Sequence, residues 1–216
     1  MKRINKKIVE KIKDDLSQGK HERAIKIAEK YIKNQSNSEI CLGLGWAYDQ
    51  SAIKEKNGII QKDLQKKALT CFKKAKKIDR FSALRGIGTV YHHQYKLPYA
   101  LANYREALQL QRKNPLIHND LGNVYQRLGT TSLNKGLSKK YYRLSKIHYL
   151  KSIQLVTKKD PLLTISPLIN LALLSKKQHH PSLSKRYATQ ALRVIKKNTN
   201  NSALVAWMPI IQEILT

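Results

Sequence analysis

Apolar and polar positions along this chain fall into a pattern that recurs. Three segments place an aliphatic residue, a Gly, one intervening residue, Ala or Val, and then Tyr in succession: Leu44-Gly45-Trp46-Ala47-Tyr48, Ile87-Gly88-Thr89-Val90-Tyr91 and Leu121-Gly122-Asn123-Val124-Tyr125. Each is followed by a triplet of small, aromatic and small residues at spacings of four and then three: Ala68/Phe72/Ala75, Ala100/Tyr104/Ala107 and Ser145/Tyr149/Ser152. On a helix, Leu44, Gly45 and Tyr48 share one side, and Ala68, Phe72 and Ala75 form one stripe. The small residues let two helix backbones approach closely, and the aromatics fill the space between. The pattern therefore predicts antiparallel helix pairs. One such pair cannot bury its apolar face alone, so neighbours must stack. A repeat of this kind sets the architecture and points to binding as the function.

These residues resemble the tetratricopeptide repeat (TPR) family. The best unit is Phe81–Asn114, which is 34 residues long, the family period, and is followed by Pro115. Leu84, Ile87, Gly88, Tyr91, Ala100, Tyr104, Ala107 and Leu108 all fall in register. A weaker first unit carries Gly19, Ala24, Ala28 and Tyr31, with Lys11 and Asp15 where apolar residues are expected. A fifth unit carries Leu171, Ala172, Ser184, Ala188, Ala191 and Leu192, with Ala172 in place of the Gly. The resemblance implies an all-α fold, a right-handed α-solenoid of about five TPR-like helix pairs plus a C-terminal capping helix, forming one domain over residues 1–216. The expected units are about 5–37, 38–80, 81–114, 115–160 and 165–197, with the capping helix at 202–215.

The spacing between the two halves of each unit varies. From Tyr48 to Ala68 and from Tyr125 to Ser145 is 20 residues, whereas from Tyr91 to Ala100 and from Ser175 to Ser184 is 9. Units two and four thus share an insert of the same length, within Ser51–Leu64 and Gly129–Lys140. The order long, short, long, short suggests a duplicated pair of pairs. Each insert is expected to lengthen two helix ends joined by a turn.

The balance of 42 Lys+Arg against 14 Asp+Glu gives a formal charge of +28. Such a field attracts polyanions without setting the fold. Nucleic acid, acidic proteins and anionic lipid surfaces are the candidate partners, and a compositional bias toward Lys is the competing explanation. Cys41 and Cys71 give no framework of bridges and read as half-buried thiols in a reducing compartment. The basic start MKRINKKIVEKIKDD has no apolar segment of signal-peptide type. The apolar stretch near Leu162–Leu174 is too short to span a bilayer. The expectation is a cytoplasmic protein without membrane insertion.

No catalytic or metal constellation stands out, and neither enzymatic activity nor a cofactor is expected. There is no phosphate-cradling glycine loop and no Cys pair at metal spacing. His92-His93 and His179-His180 each precede a Pro near a turn, which suits solvated turns better than a metal. Acidic residues are scattered, without a pair placed for acid–base work. Most of the 11 tyrosines sit at repeat core positions.

In TPR arrays the first helix of each unit lines a concave groove, and that register implies partner-binding residues here. Trp46 and Gln50 fall on it in unit two, with Glu39, Leu42 and Asp49. Arg85, Thr89 and His92 do so in unit three, with His93. Asn119, Asn123, Gln126 and Arg127 do so in unit four, with Asp120, and Asn170 and Lys177 in unit five, with Ile169, Leu173 and Lys176. Amides there can donate to and accept from the backbone of an extended peptide. Trp46 is the candidate apolar anchor, with packing between units as its competing role. The lysine positions of the family's C-terminal carboxylate clamp are not matched, since Asn119 stands at one of them. Basic residues cluster instead on second helices: Lys73, Lys74, Lys76 and Lys77 in unit two, and Lys139, Lys140 and Arg143 in unit four. They imply a basic convex face. The leading expectation is a scaffold that takes a peptide or protein partner, acidic partners included, in its groove. The alternative is RNA or another polyanion on the convex face, with binding that falls steeply with salt.

Overall fold

A computed structural model describes residues 2–32, 38–198 and 206–216. Among these the chain forms eleven α-helices and no strand. Helices α1 (Lys2–Ser17) and α2 (His21–Ile32) pair, as do α3 (Ser38–Lys54) and α4 (Gly58–Ala75), and α5 (Arg80–His93) and α6 (Leu97–Leu110). So do α7 (Pro115–Thr131) and α8 (Lys135–Leu155), and α9 (Ile165–Lys177) and α10 (Pro181–Lys196). The last helix, α11 (Met208–Leu215), packs on α10 and α9. It corresponds to the expected capping helix, of which positions 202–205 lie outside the described residues, as do positions 33–37 of the first unit. Contacts divide the chain into two compact units, Met1–Leu110 and Gln111–Thr216.

Three turns share one conformation, and they occupy equivalent places. Gly19 has φ 72°, and Tyr95 and His179 each have φ 60°. Each lies five residues before the small residue that opens the triplet, Ala24, Ala100 or Ser184. Each also donates its N–H to the carbonyl three residues back, while the next residue's N–H reaches five back. This is the left-handed cap that ends a helix and redirects the chain. In the two long units the insert replaces it. There α3 and α4 are 17 and 18 residues, and α7 and α8 are 17 and 21, against 14 and 14 for α5 and α6. The inserts are indeed longer helix ends joined by short turns. The second helix starts at Asn57, whose Oδ1 accepts from the Ile59 N–H, or at Asn134, whose Oδ1 accepts from the Leu137 N–H. Both are side-chain N-caps.

The cores of the second, third and fourth helix pairs are built on the Gly–aromatic pairing. A Cβ added to Gly45 would lie 2.7 Å from Phe72, one on Gly88 2.6 Å from Tyr104, and one on Gly122 2.4 Å from Tyr149. Phe72 and Tyr149 are fully buried, as are the flanking Ala68, Ala75, Ser145 and Ser152. The serines are satisfied: Ser145 Oγ donates to the Gly122 carbonyl at 2.9 Å, and Ser152 Oγ to that of Pro115 at 2.8 Å. In the fifth pair both halves of the contact change together. Ala172 stands at the Gly position and Ala188 at the aromatic position, and both are completely buried in one cluster. Ser184 Oγ donates to the Ala172 carbonyl at 2.8 Å, repeating the Ser145 bond.

Candidate groove faces

In the compact unit Gln111–Thr216 the candidate groove amides meet one another. Asn170 Nδ2 on α9 donates to Asn123 Oδ1 on α7 at 2.9 Å and lies 3.4 Å from Asn119 Oδ1. The Tyr149 hydroxyl, rising from the core end of α8, is 2.8 Å from Asn123 Oδ1 and 2.7 Å from Gln126 Oε1. One phenolic hydrogen cannot serve two carbonyl oxygens. The consistent arrangement has Tyr149 donating to Asn123 Oδ1 and accepting from the Gln126 amide nitrogen, which exchanges the two ends of that side chain. Burial, above all, pushes the Tyr149 phenol well above its ordinary pKa, with the Asp120 carboxylate adding to the effect. The phenol therefore stays a neutral donor.

The strip continues one helical turn further on. Lys177 Nζ donates to Thr130 Oγ1 at 2.9 Å and lies 5.7 Å from the centre of the Tyr142 ring. Thr130 Oγ1 is 3.4 Å from the Tyr142 hydroxyl. Burial raises the Tyr142 phenol, but hydrogen bonds with Thr130 and Lys177 and the Lys177 charge outweigh it and leave it below the usual tyrosine value. Asn119, Asn123, Gln126, Arg127 and Asn170 are half-buried, and Lys177 is exposed. By their donor and acceptor inventory, Asn119 Nδ2, Asn123 Nδ2 and Asn170 Oδ1 stand outside these internal bonds. The strip thus combines fixed geometry with unspent hydrogen-bonding capacity.

The first unit presents a different surface at the equivalent places. Trp46 packs edge-on against Phe72, with ring centroids 5.1 Å apart, and the Arg85 guanidinium lies 5.2 Å from the Trp46 ring centre. Thr89 Oγ1 is 2.9 Å from the Tyr104 hydroxyl and donates to the Arg85 carbonyl. Trp46, Thr89 and Asn123 all follow the signature Gly, and each touches the aromatic of its own second helix. The Trp46 side chain packs inward and stays partly open to solvent. Gln50 and His92 are half-buried beside it on α3 and α5.

Several expectations for these faces need correction. Asp49, Asp120 and Ile169 do not line a groove, because all three are buried; Asp49 is completely so, with Oδ1 3.0 Å from His93 Nδ1. His93 is correspondingly no solvated turn residue, because it supplies the partner that a buried carboxylate requires. In the first helix pair, Asp15 is likewise buried rather than an exposed substitute for an apolar residue. Its Oδ2 lies 3.4 Å from Arg23 Nε.

Several residues now in the strip carried no functional expectation. Tyr149 reads as core and its ring is buried, Tyr142 is half-buried against the same cluster, and the hydroxyls of both reach the face. The signal was present in the pairing of each triplet aromatic with the residue after the signature Gly. His118 and His148 also meet, Nδ1 to Nδ1 at 3.1 Å, while His118 Nε2 is 3.0 Å from the Arg112 carbonyl. That carbonyl requires an N–H on Nε2, so neutral His118 accepts from His148 at Nδ1.

The basic side chains stand on second helices, as expected. Lys73, Lys74 and Lys77 are exposed on and just after α4, and Lys139, Lys140 and Arg143 on α8. Lys76 lies 3.6 Å from Glu106, which Arg80 also grips at 2.6 Å. Among the described residues no group of three or more His, Cys, Asp or Glu side chains is placed to hold a metal ion. No described helix is long and apolar enough to cross a membrane.

Comparison with known proteins agrees with this construction. No curated protein sequence matches the chain. In structure it is similar to a protein titled "Crystal structure of MamA protein", at 18% identity and a TM-score of 0.52, covering 94% of this chain and 97% of that one. A second MamA structure gives 19% identity and a TM-score of 0.53, covering 87% and 95%. Residues 88–129, which run from the signature Gly of the third helix pair into the last turn of α7, match the family model described as "TPR repeat". The chain therefore carries the tetratricopeptide repeat signature at residues 88–129 within an all-α, solenoid-type fold of stacked helix pairs.

Proposed function

We propose that this chain is a non-enzymatic scaffold that binds an extended segment of a protein partner along the first-helix faces of its repeats. The TPR fold supports protein–protein interaction in general. The observation that carries the finer reading is the amide strip of the second unit. Asn119, Asn123, Gln126 and Asn170 are held in place by one another and by Tyr149, yet keep donors and an acceptor for a peptide backbone. Preorganised groups of this kind lose little conformational entropy on binding. Lys177 and Arg127 at the same face favour an acidic partner, and Trp46 with Arg85, Thr89, His92 and Gln50 offers an aromatic and cationic surface in the first unit.

The test is capture of partners from native lysate at physiological salt, with and without nuclease. The wild-type chain should retain a discrete protein after nuclease. The Asn123→Ala/Asn170→Ala variant should lose it, while Lys73→Glu/Lys74→Glu/Lys76→Glu/Lys77→Glu should keep it. Loss of all bound material with nuclease would transfer the function to the basic surface and end the groove reading.

A further inference from the structure

Helix α8 carries a second surface that the groove does not use. Its inner face, Ser145, Tyr149 and Ser152, is buried against α7. Its outward stripe runs Lys140, Arg143, Ile147 and Leu150, at helical spacings of three and four. Lys139 and Lys151 flank that stripe, and Leu137 stands with Lys135 in the first turns. Just before the helix, Leu133 is 101% exposed, while Leu137, Ile147 and Leu150 are 45%, 53% and 41% exposed. Four large aliphatic side chains thus stand in solvent among lysines and an arginine. The stretch between Asp120 and Asp160 contains nine Lys and Arg and no Asp or Glu.

The contrast with α4 shows that this is more than a general excess of lysine. On α4, Lys67 is paired with Asp63 at 2.8 Å, and Lys76 just beyond it faces Glu106. The basic residues of α8 have no carboxylate on their own helix or in the turn before it.

We infer that the outward face of α8 and the turn before it dock on an anionic lipid surface, with Leu133, Leu137, Ile147 and Leu150 in the headgroup layer and Lys135, Lys139, Lys140 and Arg143 at the lipid phosphates. This inference does not depend on the groove reading. Charge complementarity selects an anionic partner, and the interleaved aliphatics select among anionic partners. A nucleic acid would neutralise the lysines but leave the four aliphatic side chains in water. A folded acidic protein would need matching cavities for side chains spread over roughly 25 Å of helix. A bilayer interface needs no such match, because aliphatic groups enter the acyl boundary while long basic side chains extend to the headgroups. Each basic residue near such a surface adds attraction that fades beyond a Debye length.

Flotation of the full chain with vesicles tests this. Vesicles of phosphatidylcholine alone should not retain it, and vesicles with one third phosphatidylserine should. Leu133→Ser/Leu137→Ser should weaken vesicle binding about tenfold or more, while retention on duplex RNA changes less than about twofold. Lys139→Glu/Lys140→Glu/Arg143→Glu should abolish vesicle binding. Both leucines are exposed, so an unchanged melting temperature checks that the variant is folded. The proposal is overturned if anionic vesicles fail to retain the wild-type chain. It is equally overturned if the leucine variant binds them as well as wild type, which is the result charge alone would give.

Discussion

Gly122 and Tyr149 occupy one space: a Cβ on the glycine would sit 2.4 Å from Cε1 of the tyrosine ring. The ring is fully buried, and its hydroxyl is bonded to Asn123 at the candidate face. Gly122→Ala should therefore destabilise the chain by about 1–3 kcal/mol, the usual effect of overpacking. In a Tyr149→Ala background the same substitution should cost far less, as the natural Ala172/Ala188 pair implies. Urea melts of the two single variants and the double variant measure the coupling, and additive effects would refute the shared-space account.

The Tyr149 hydroxyl orders the strip as well as filling it. Tyr149→Phe keeps the ring and removes the bond to Asn123. It should cost about 1 kcal/mol of stability and weaken partner binding, because Asn123 and Gln126 lose their anchor. Thr89→Ala, which removes the equivalent contact with Tyr104, should leave a partner of the second unit's strip bound normally. Titration calorimetry with the captured partner distinguishes the two.

His93 answers a carboxylate that is completely out of solvent. His93→Ala leaves the buried Asp49 carboxyl without this partner and should cost about 3 kcal/mol. Asp49→Asn removes the charge while keeping the shape, so adding it to His93→Ala should recover part of the loss. Thermal melts of the three variants decide this.

Tyr95 and His179 adopt the left-handed conformation that Gly19 supplies in the first pair. A side chain there is strained. Tyr95→Gly and His179→Gly should each raise stability by about 0.5 kcal/mol, the relief of strain exceeding the added flexibility of the unfolded chain. The same substitution at Asp79, an N-cap with φ −123°, should bring no such gain.

Burial pushes the Cys71 thiol up to about 12 and raises that of Cys41 as well. Both should react slowly with thiol reagents at neutral pH until the chain unfolds. The unfolded Cys71 thiol ionises near its ordinary value of 9.0, well below the folded one. The unfolded state therefore loses its proton first. The stabilising contribution is complete below pH 9 and is lost as pH rises toward 12. Cys71→Ala should flatten the alkaline fall in melting temperature over that window.

Much of this architecture was legible in the sequence because steric exclusion leaves a local trace. A glycine that faces an aromatic at fixed spacing marks a close helix approach wherever it recurs, and the Ala172/Ala188 exchange keeps the trace even where the letters change. The lengthened helices of the inserts followed from counting. The candidate face was legible only in part. The register placed Asn119, Asn123, Gln126 and Asn170 on one face, but their mutual bonds join side chains 47 and 51 residues apart. The Tyr149 hydroxyl was hidden for the same reason, since a ring assigned to the core has a polar end whose position depends on the neighbouring helix.

The sequence by itself determined the helix pairs, their small-residue contacts and the concentration of charge, because these depend on periodicity and composition. Only the tertiary structure decided which polar groups are spent. Asp49 and Asp15 look like surface residues in sequence and are buried, Asp49 against the half-buried His93 and Asp15 beneath the exposed Arg23. The leucines around the start of α8 look like ordinary helix residues and stand in solvent. Whether a side chain is buried depends on what packs over it, and a one-dimensional pattern fixes that only where the pattern itself supplies the partner.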